Sequence, residues 1–231
     1  MVVRRQERLT DPRCDDTVMG LQLAMPNGSE PPAFLPGQYV RLAAGEDQPS
    51  AYFSIASAPR ERADGYTFFV KCQGAAASAL CAIRRGERVR VQGPMGKGFR
   101  IDDWRGRDIY LIGVGTGIAP LRSIWREILP RRADYGRIAI YAGFRTPLHR
   151  LLTDELDALA GEGIEVSVTL EIGGESWDGP IGYVQHQIAR DRPSGENAIA
   201  VLSGMNAMVE ACRALLLELG FAEERILTNH G

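Results

Sequence analysis

The sequence lacks any apolar run that approaches the ~18 residues of a membrane span. Arginines near the amino terminus are not followed by the apolar region of a signal peptide. The formal net charge of only -2 gives no sign of a nucleic-acid-binding surface. These absences argue against membrane-spanning, secreted and nucleic-acid-binding proteins, so we expect a soluble, cytoplasmic protein.

Cysteine is also scarce. The four cysteines, Cys14, Cys72, Cys81 and Cys212, have no C-x-x-C spacing. Without that spacing the sequence has no local metal-binding or redox cysteine pair. Four scattered cysteines also do not make the disulfide framework of a small secreted domain. We expect them to be reduced and mostly structural.

What is present is enough apolar sequence for two cores. The chain has 231 residues, of which 45% are hydrophobic, and this length favours two domains. Short strand-like runs separated by turns predict an antiparallel β-barrel in the first half. Strand-like and helix-like segments then alternate, which predicts an α/β domain with a parallel sheet. The polar stretch D-D-W-R-G-R separates the strand-and-turn pattern from the alternating strand–helix pattern, so we predict domains over residues 1–103 and 107–231.

The most informative stretch is I-G-V-G-T-G-I-A-P-L, residues 112–121. A buried strand is followed by glycines and then by an amphipathic helix whose first turn contains Pro120. Gly113, Gly115 and Gly117 can adopt positive φ and bring a ligand close to the backbone, and the free amides at the helix start favour a phosphate. An ordinary strand-to-helix connection would show the same glycines, so the loop alone does not decide the function.

Thr116 and the I-A-P tail resemble the pyridine-nucleotide loop of the ferredoxin–NADP reductase superfamily. The segment A-Y-F-S-I-A-S, residues 51–57, resembles the flavin-binding strand R-x-Y-S-I-A-S of the same superfamily. The resemblance implies that Phe53 covers the flavin ring and that the Ser54 hydroxyl reaches flavin N5. Two positions depart from the pattern, because Ala51 replaces the arginine that binds pyrophosphate and Phe53 replaces the tyrosine. Arg60, Lys71 or backbone amides would then have to neutralise the flavin phosphates.

Three further segments resemble the superfamily in the expected order. G-A-A-A-S-A-L, residues 74–80, resembles the G-x-x-S-x-x-L loop, with Ser78 expected as the helix N-cap and the amides of Ala76, Ala77 and Ser78 expected to hold the pyrophosphate. G-P-M-G-K-G-F, residues 93–99, resembles the turn that closes the flavin barrel. V-L-S-G-M-N-A-M, residues 201–208, resembles the C-G-P-x-x-M segment, with Ser203 in place of the cysteine near the nicotinamide.

The resemblance implies a set of site residues. Ser54 and Ser203 are the expected contacts at the reacting atoms. The expected cofactor-binding residues are Tyr52, Phe53, Ser54, Ile55, Ala56, Ser57, Val70, Lys71, Gly74, Ala76, Ala77, Ser78, Gly115, Thr116, Gly117, Ile118, Ala119, Pro120, Gly143, Arg145, Ser203, Gly204, Met205, Met208 and His230. No metal is expected.

The implied activity is hydride transfer from NAD(P)H to FAD, followed by electron transfer to a small redox protein or a small molecule. The segment V-T-L-E-I-G-G, residues 168–174, has no arginine for a 2′-phosphate and contains Glu171, which favours NADH. Two alternatives stay open. The chain could be an electron-transfer subunit of a dihydroorotate dehydrogenase or hydrogenase type, although such subunits usually carry a cysteine cluster that this sequence lacks. It could also be a module that has lost flavin affinity.

Overall fold

The computed structural model describes residues 1–229, and its first half is a barrel-like pair of antiparallel sheets with one helix packed against them. The elements are β1 (Val2–Arg8), β2 (Val18–Ala24), β3 (Tyr39–Ala43), β4 (Ser50–Ser54), β5 (Tyr66–Lys71), α1 (Ala75–Ala82) and β6 (Arg90–Met95). They form two three-stranded sheets, β1-β2-β5 and β4-β3-β6. The Ala56 amide donates to the Thr67 carbonyl at one junction of the sheets, and a Val2–Arg88 bridge joins them at the other.

The second half is a parallel sheet with helices on both faces. The elements are β7 (Asp108–Val114), α2 (Ile118–Ile128), β8 (Ile138–Phe144), α3 (Thr153–Leu159), β9 (Glu165–Leu170), α4 (Val184–Asp191), β10 (Ala198–Ser203), α5 (Asn206–Glu218) and β11 (Ile226–Thr228). The strand order is β11-β10-β7-β8-β9. Side chains of α2 and α3 pack on one face, and those of α4 and α5 pack on the other. The predicted fold class is confirmed.

The strand order determines where a ligand can enter. The chain adds β8 and β9 on one side of β7, and then returns to add β10 and β11 on the other side. Loops at the carboxyl ends of β7 and β10 therefore run in opposite directions, and open α/β sheets bind ligands at such a switch point. The glycine loop follows β7, and the S-G-M segment follows β10.

Polar contacts from α2 fix the two halves against each other. Arg122 Nη1 donates to the Ala56 carbonyl at 3.0 Å, and Ser123 Oγ donates to the Ser57 carbonyl at 2.8 Å. Both acceptors are the last two residues of the predicted flavin segment, 51–57, and both donors directly follow the glycine loop, 112–121. The Glu155 carboxylate holds the same arginine at 2.9 Å. The relative position of the two predicted cofactor segments is therefore fixed through neighbouring residues.

The cysteine expectation is wrong for one pair, because Cys72 and Cys81 form a disulfide. The end of β5 and the last turn of α1 bring their Cα atoms to 5.9 Å, within the range that a disulfide bridges. A sequence separation of nine residues carries no sign of this approach. Cys14 and Cys212 are free and buried, as expected.

An ion pair between the two halves, Glu61 with Arg126, predicts a pH-dependent stability. Burial raises the pKa of Glu61, but hydrogen bonds from Arg126 and from the Ala58 amide outweigh it and lower this pKa below its ordinary value of 4.5. A carboxyl with a lowered folded-state pKa stabilises the protein above its unfolded pKa, and this contribution is lost as the pH falls through the folded pKa. We therefore expect Glu61→Gln to lower Tm at pH 7, and this deficit to shrink as the pH falls through the lowered folded-state pKa of Glu61. A Tm deficit that is unchanged by acid would contradict this assignment.

Candidate functional site

A cleft of about 450 Å3 opens between β4 and the carboxyl ends of β7 and β10. We call it the interdomain cleft. Twelve of the residues expected from the sequence line it, and they come from five separate segments. They are Tyr52, Phe53, Ser54, Lys71, Ala77, Thr116, Gly117, Ala119, Pro120, Ser203, Gly204 and Met205. The structure thus brings the predicted flavin strand, the glycine loop and the S-G-M segment to one place.

The glycine loop touches the end of β10 through backbone atoms. Gly117 has φ -60°, which any residue can adopt. A Cβ there would lie 2.5 Å from the Ser203 carbonyl oxygen, so only glycine permits this contact. Of the three glycines expected to use positive φ, only Gly115 does so, at +53°. The glycines therefore serve mainly the close approach of two backbone segments.

Ser54 is held by a residue that the sequence analysis missed. Asn229 Nδ2 donates to Ser54 Oγ at 2.9 Å. Asn229 is 9% exposed, and its Oδ1 atom is buried without a hydrogen-bond partner in the described part of the chain. Because Ser54 Oγ accepts from Asn229, its own proton is free for a ligand. His230, the contact expected from the sequence, lies outside the described residues. The sequence signal for Asn229 was its polar side chain, one position before His230.

The start of α1 is the candidate anion site, but its cap differs from the prediction. Ser78 is not the N-cap, because the helix begins at Ala75 and the Ser78 amide already donates to the Gly74 carbonyl at 2.9 Å. The first three amides, those of Ala75, Ala76 and Ala77, have no acceptor within the helix. Gly74 adopts φ +83°, which lets the helix start one turn earlier than a serine cap would.

Of the cations considered for the flavin phosphates, only Lys71 lines the interdomain cleft. Its Nζ atom lies 2.8 Å from Asp16 Oδ2, and this hydrogen bond lowers the pKa of Asp16. Arg60 is engaged elsewhere, since its Nε donates to the Arg126 carbonyl at 2.8 Å. A phosphate in the cleft would therefore meet Lys71 and the amides of α1.

Two aromatic rings on β4 face the cleft. Phe53 packs partly against the barrel core, whereas Tyr52 is 63% exposed and packs edge to face on Tyr39 with ring centroids 5.6 Å apart. Tyr52 and Ser54 also line a second cleft of about 760 Å3, together with the G-K-G-F turn and Asn229. Ser54 therefore lies at the junction of the two cavities.

A third cavity, of about 260 Å3, lies beside the interdomain cleft on the α/β half, and we call it the nucleotide pocket. Gly143, Glu171, Met205 and Met208 are among its lining residues. Gly143 serves packing, because a Cβ there would lie 2.8 Å from side-chain atoms of both Val114 and Val184. Arg145 does not line this pocket and instead lies 3.8 Å from Asp15.

The other predicted residues support the cleft without lining it. Ile55, Ala56, Ser57, Val70 and Ile118 are buried. Gly74, Ala76 and Ser78 lie at the start of α1, and Gly115 lies on the glycine loop, beside residues that line the cleft. Sequence analysis also missed lining residues that flank the motifs, namely Phe69, Gln73 and Val114. Phe69, Lys71 and Gln73 occupy alternate positions at the end of β5 and just beyond it. Alternate residues of a strand share one face, so this spacing could have indicated Phe69 and Gln73 as neighbours of Lys71 in the cleft.

These residues fit a flavin dinucleotide. Such a cofactor presents an aromatic ring system, a redox-active edge that forms hydrogen bonds, and a pyrophosphate. The cleft offers the Phe53 ring, the Ser54 hydroxyl held by Asn229, and a helix start with three free amides beside Lys71. The buried, unpartnered Asn229 Oδ1 is a further polar atom at this site. Lys71 and the first amides of α1 are the groups available in place of the arginine missing at Ala51.

Comparison with known proteins agrees with this geometry. Residues 111–214 match the family model of the oxidoreductase NAD-binding domain. Ferredoxin–NADP reductase B of Sorangium cellulosum is 34% identical over 210 residues, which cover 84% of this chain and 83% of the relative. The chain belongs to the ferredoxin–NADP reductase family. This family member is an FAD-dependent NAD(P)H oxidoreductase.

Two other relatives extend the comparison. The gamma subunit of sulfhydrogenase 1 from Pyrococcus furiosus is 30% identical over 213 residues, which cover 88% of this chain and 70% of that subunit. The crystal structure of the Amycolatopsis cytochrome P450 reductase GcoB superimposes with a TM-score of 0.84 at 27% identity, covering 99% of this chain and 68% of the other. Among residues 1–229, no helix has both the length and the apolar character needed to cross a membrane.

Proposed function

We propose that this reductase moves hydride from NADH to FAD in the interdomain cleft and passes electrons to a small redox protein or a small molecule. In this proposal residues 1–103 form the FAD-binding domain and residues 107–231 the NAD(P)-binding domain. The observation that carries it is the convergence of Ser54, Gly117 and Ser203, from three distant segments, on one cleft at the switch point of the sheet.

The chain's residues would bind and orient the two cofactors. Bound FAD supplies the redox chemistry, since it accepts hydride from a nicotinamide. Phe53 would cover the flavin ring, the Ser54 hydroxyl would donate a hydrogen bond to the flavin edge, and the amides of α1 would hold the pyrophosphate. The amides at the start of α2 would hold the phosphates of the nicotinamide nucleotide. No acid or base residue is needed, because the protein's contribution is orientation.

Ser203 is proposed to contact the nicotinamide. It is 3% exposed and lines the interdomain cleft beside Gly204 and Met205. A Cβ at Gly204 would lie 2.6 Å from a Val114 methyl and 2.7 Å from Met208, so the backbone here packs tightly. The Ser203 side chain is therefore held on a rigid segment at the floor of the cleft.

The purified protein should be yellow, and anaerobic NADH should bleach it. Heat release followed by chromatography should yield FAD, because the free amides at the start of α1 suit a pyrophosphate. Recovery of FMN alone would contradict the assignment of the α1 loop. Protein that takes up neither flavin would contradict the function.

Ser203→Ala should slow flavin reduction several-fold without changing flavin content. The loss of one neutral hydrogen bond is worth ~1 kcal/mol, which corresponds to roughly a fivefold change in rate. Rapid-mixing kinetics with NADH measure the limiting rate and the apparent affinity separately. A change in affinity alone would mean that the contact binds substrate and transition state equally, and parental kinetics would remove Ser203 from the site.

The preference for NADH rests on Glu171. Its side chain lines the nucleotide pocket beyond β9, at the position where a 2′-phosphate would need cationic partners. Arg145 lies against Asp15 and does not line this pocket. Ionised Glu171 would repel a phosphate and could accept hydrogen bonds from ribose hydroxyls.

Glu171→Gln should reduce the preference for NADH over NADPH by about fivefold. Removing repulsion between charges ~4 Å apart in a solvated pocket changes the binding free energy by about 1 kcal/mol. The ratio of kcat/KM for NADH and NADPH with one artificial acceptor measures the change. Glu175→Gln, an exposed acid on the same segment that does not line the pocket, is the matched control. A parental enzyme that prefers NADPH would overturn this assignment.

A second candidate is an electron-transfer subunit of a larger redox complex. The similarity to a sulfhydrogenase gamma subunit over 88% of this chain favours it. Isolation from the source cell with native mass measurement separates the two candidates. A stand-alone enzyme elutes at its own mass or as a homo-oligomer, whereas a subunit co-purifies with iron–sulfur partners in fixed ratio.

A further inference from the structure

A cluster of four potential metal ligands lies where the two halves meet, outside the interdomain cleft. Cys14, Asp15 and Asp16 come from the loop between β1 and β2, and His149 comes from the connection between β8 and α3. The Cys14 thiol, one Asp15 carboxylate oxygen and a ring nitrogen of His149 all lie within 4.8 Å of one another. The cluster therefore combines sulfur, nitrogen and oxygen donors from both halves.

The spacing of the donor atoms suits a tetrahedral ion. Zinc ligands lie ~2.0–2.3 Å from the metal, so two ligands of one tetrahedral ion are about 3.3–3.8 Å apart. Here Asp15 Oδ1 lies 3.4 Å from His149 Nε2 and 3.8 Å from Cys14 Sγ. Asp16 Oδ2 lies 3.7 Å from the same Nε2 atom. Small side-chain movements would bring these atoms around one ion.

The histidine is held in the orientation that a metal ligand needs. Its Nδ1 atom lies 2.8 Å from Thr146 Oγ1, whereas its Nε2 atom is buried and has no hydrogen-bond partner among the described residues. Metal-bound histidines usually donate their other ring N–H to such a partner. With Nδ1–H donating to Thr146, the Nε2 lone pair faces a sulfur and carboxylate oxygens, an arrangement that a cation stabilises.

Neighbouring basic groups leave one carboxylate oxygen available. Arg145 approaches Oδ2 of Asp15 at 3.8 Å, while Oδ1 faces the cysteine and the histidine. Lys71 engages Asp16 Oδ2 at 2.8 Å, so Asp16 is the weaker candidate ligand. We propose that Cys14, Asp15 and His149 bind a divalent cation of the zinc class, with Asp16 or water completing the coordination.

The bound cation would join the two halves of the molecule. The Asp11 amide already donates to the Leu148 carbonyl at 3.1 Å, so the loop and the connection are in contact without it. A ligand set shared between them adds a link whose strength depends on the cation. The thiolate and the neutral imidazole are the forms that bind, so binding releases protons.

Titration of the chelator-treated full-length protein with Co2+ as a spectroscopic probe tests the proposal. One equivalent should bind and give a thiolate charge-transfer band, and Zn2+ should displace it.

Cys14→Ser should abolish the band, and His149→Gln should abolish or strongly weaken binding. Thr146→Val should weaken it roughly 10–100-fold by removing the partner of Nδ1. Cys212→Ser is the matched control, because that thiol is buried on the far face of the sheet and burial raises its pKa to about 12.

Asp15→Asn keeps the test decisive if Cys14→Ser fails to fold, because the Asp15 side chain is 75% exposed and its replacement leaves the core intact. It should weaken Co2+ binding while flavin content and Tm in chelator stay parental. Absence of stoichiometric binding in the parent, or a band that survives in Cys14→Ser, would overturn the proposal. A parent that binds no cation but loses stability on His149→Gln would mean that the cluster is only an ion pair.

Discussion

Gly117→Ala is expected to slow flavin reduction by NADH roughly 100-fold and to destabilise the protein. The added Cβ would lie 2.5 Å from the Ser203 carbonyl oxygen and 2.9 Å from the Gly204 Cα. Both neighbours are backbone atoms, so the loop and the end of β10 must separate. Overpacking of this kind costs about 1–3 kcal/mol, and a displacement of ~1 Å between reacting groups can reduce a rate about 100-fold.

The control for this variant is Gly161→Ala. Gly161 has no atom within 4 Å of its hypothetical Cβ and lies far from the cleft, so stability and kinetics should stay parental. Tm and rapid-mixing reduction of the flavin are the two measurements. Parental values for both in Gly117→Ala would mean that this backbone contact does not set the geometry of the site.

Ala77→Asp is expected to abolish flavin binding. Ala77 lines the interdomain cleft as the third residue of α1, where a carboxylate favours the helix itself through the helix dipole. The same carboxylate would repel the pyrophosphate that the first-turn amides are proposed to hold. Because Ala77 is only 8% exposed and packs in the barrel core, Ala77→Asp should also be less stable than the parent, and its folded fraction should be colourless.

Ala77→Asn separates charge from size, because asparagine matches aspartate in shape and carries no charge. It should retain more flavin than Ala77→Asp, as measured by the ratio of visible to protein absorbance after dialysis with FAD. Ser78→Asp places the same charge on the exposed neighbour and should have a smaller effect. Equal flavin loss in Ala77→Asp and Ala77→Asn would assign the effect to packing, and full flavin content in Ala77→Asp would move the pyrophosphate elsewhere.

The fold was predictable because local patterns and the global arrangement agree. Continuous apolar runs marked β7, β8 and β10, whose faces are both covered, and turns separated the shorter strands of the barrel. The strands β1 and β11 were not predicted, because β1 is rich in arginine and glutamate and β11 has only three residues. Pairing with β2 and β10, rather than local sequence, makes them strands.

Motif residues were predictable one segment at a time, but their partners were not. Sequence indicated Ser54, and only the folded chain shows that Asn229 donates to it across 175 positions. The N-cap at Ser78 was wrong because a small-residue run lets the helix begin anywhere along it, and the positive φ of Gly74 decides the start. The Cys72–Cys81 disulfide was missed for a related reason, since a β-strand and a helix determine the distance between the thiols.

The sequence by itself determined the order of elements, the glycine loop, the flavin-like strand and hence the family, because these depend on residue type and local spacing. The tertiary structure alone decided which atoms meet. It places the Gly117 backbone against Ser203, pairs Arg122 and Ser123 with carbonyls at the end of the flavin segment, and brings Cys14 and Asp15 to His149. Such contacts join residues far apart in the chain, and strand order and helix packing, rather than the spacing of the residues, determine the distances between them.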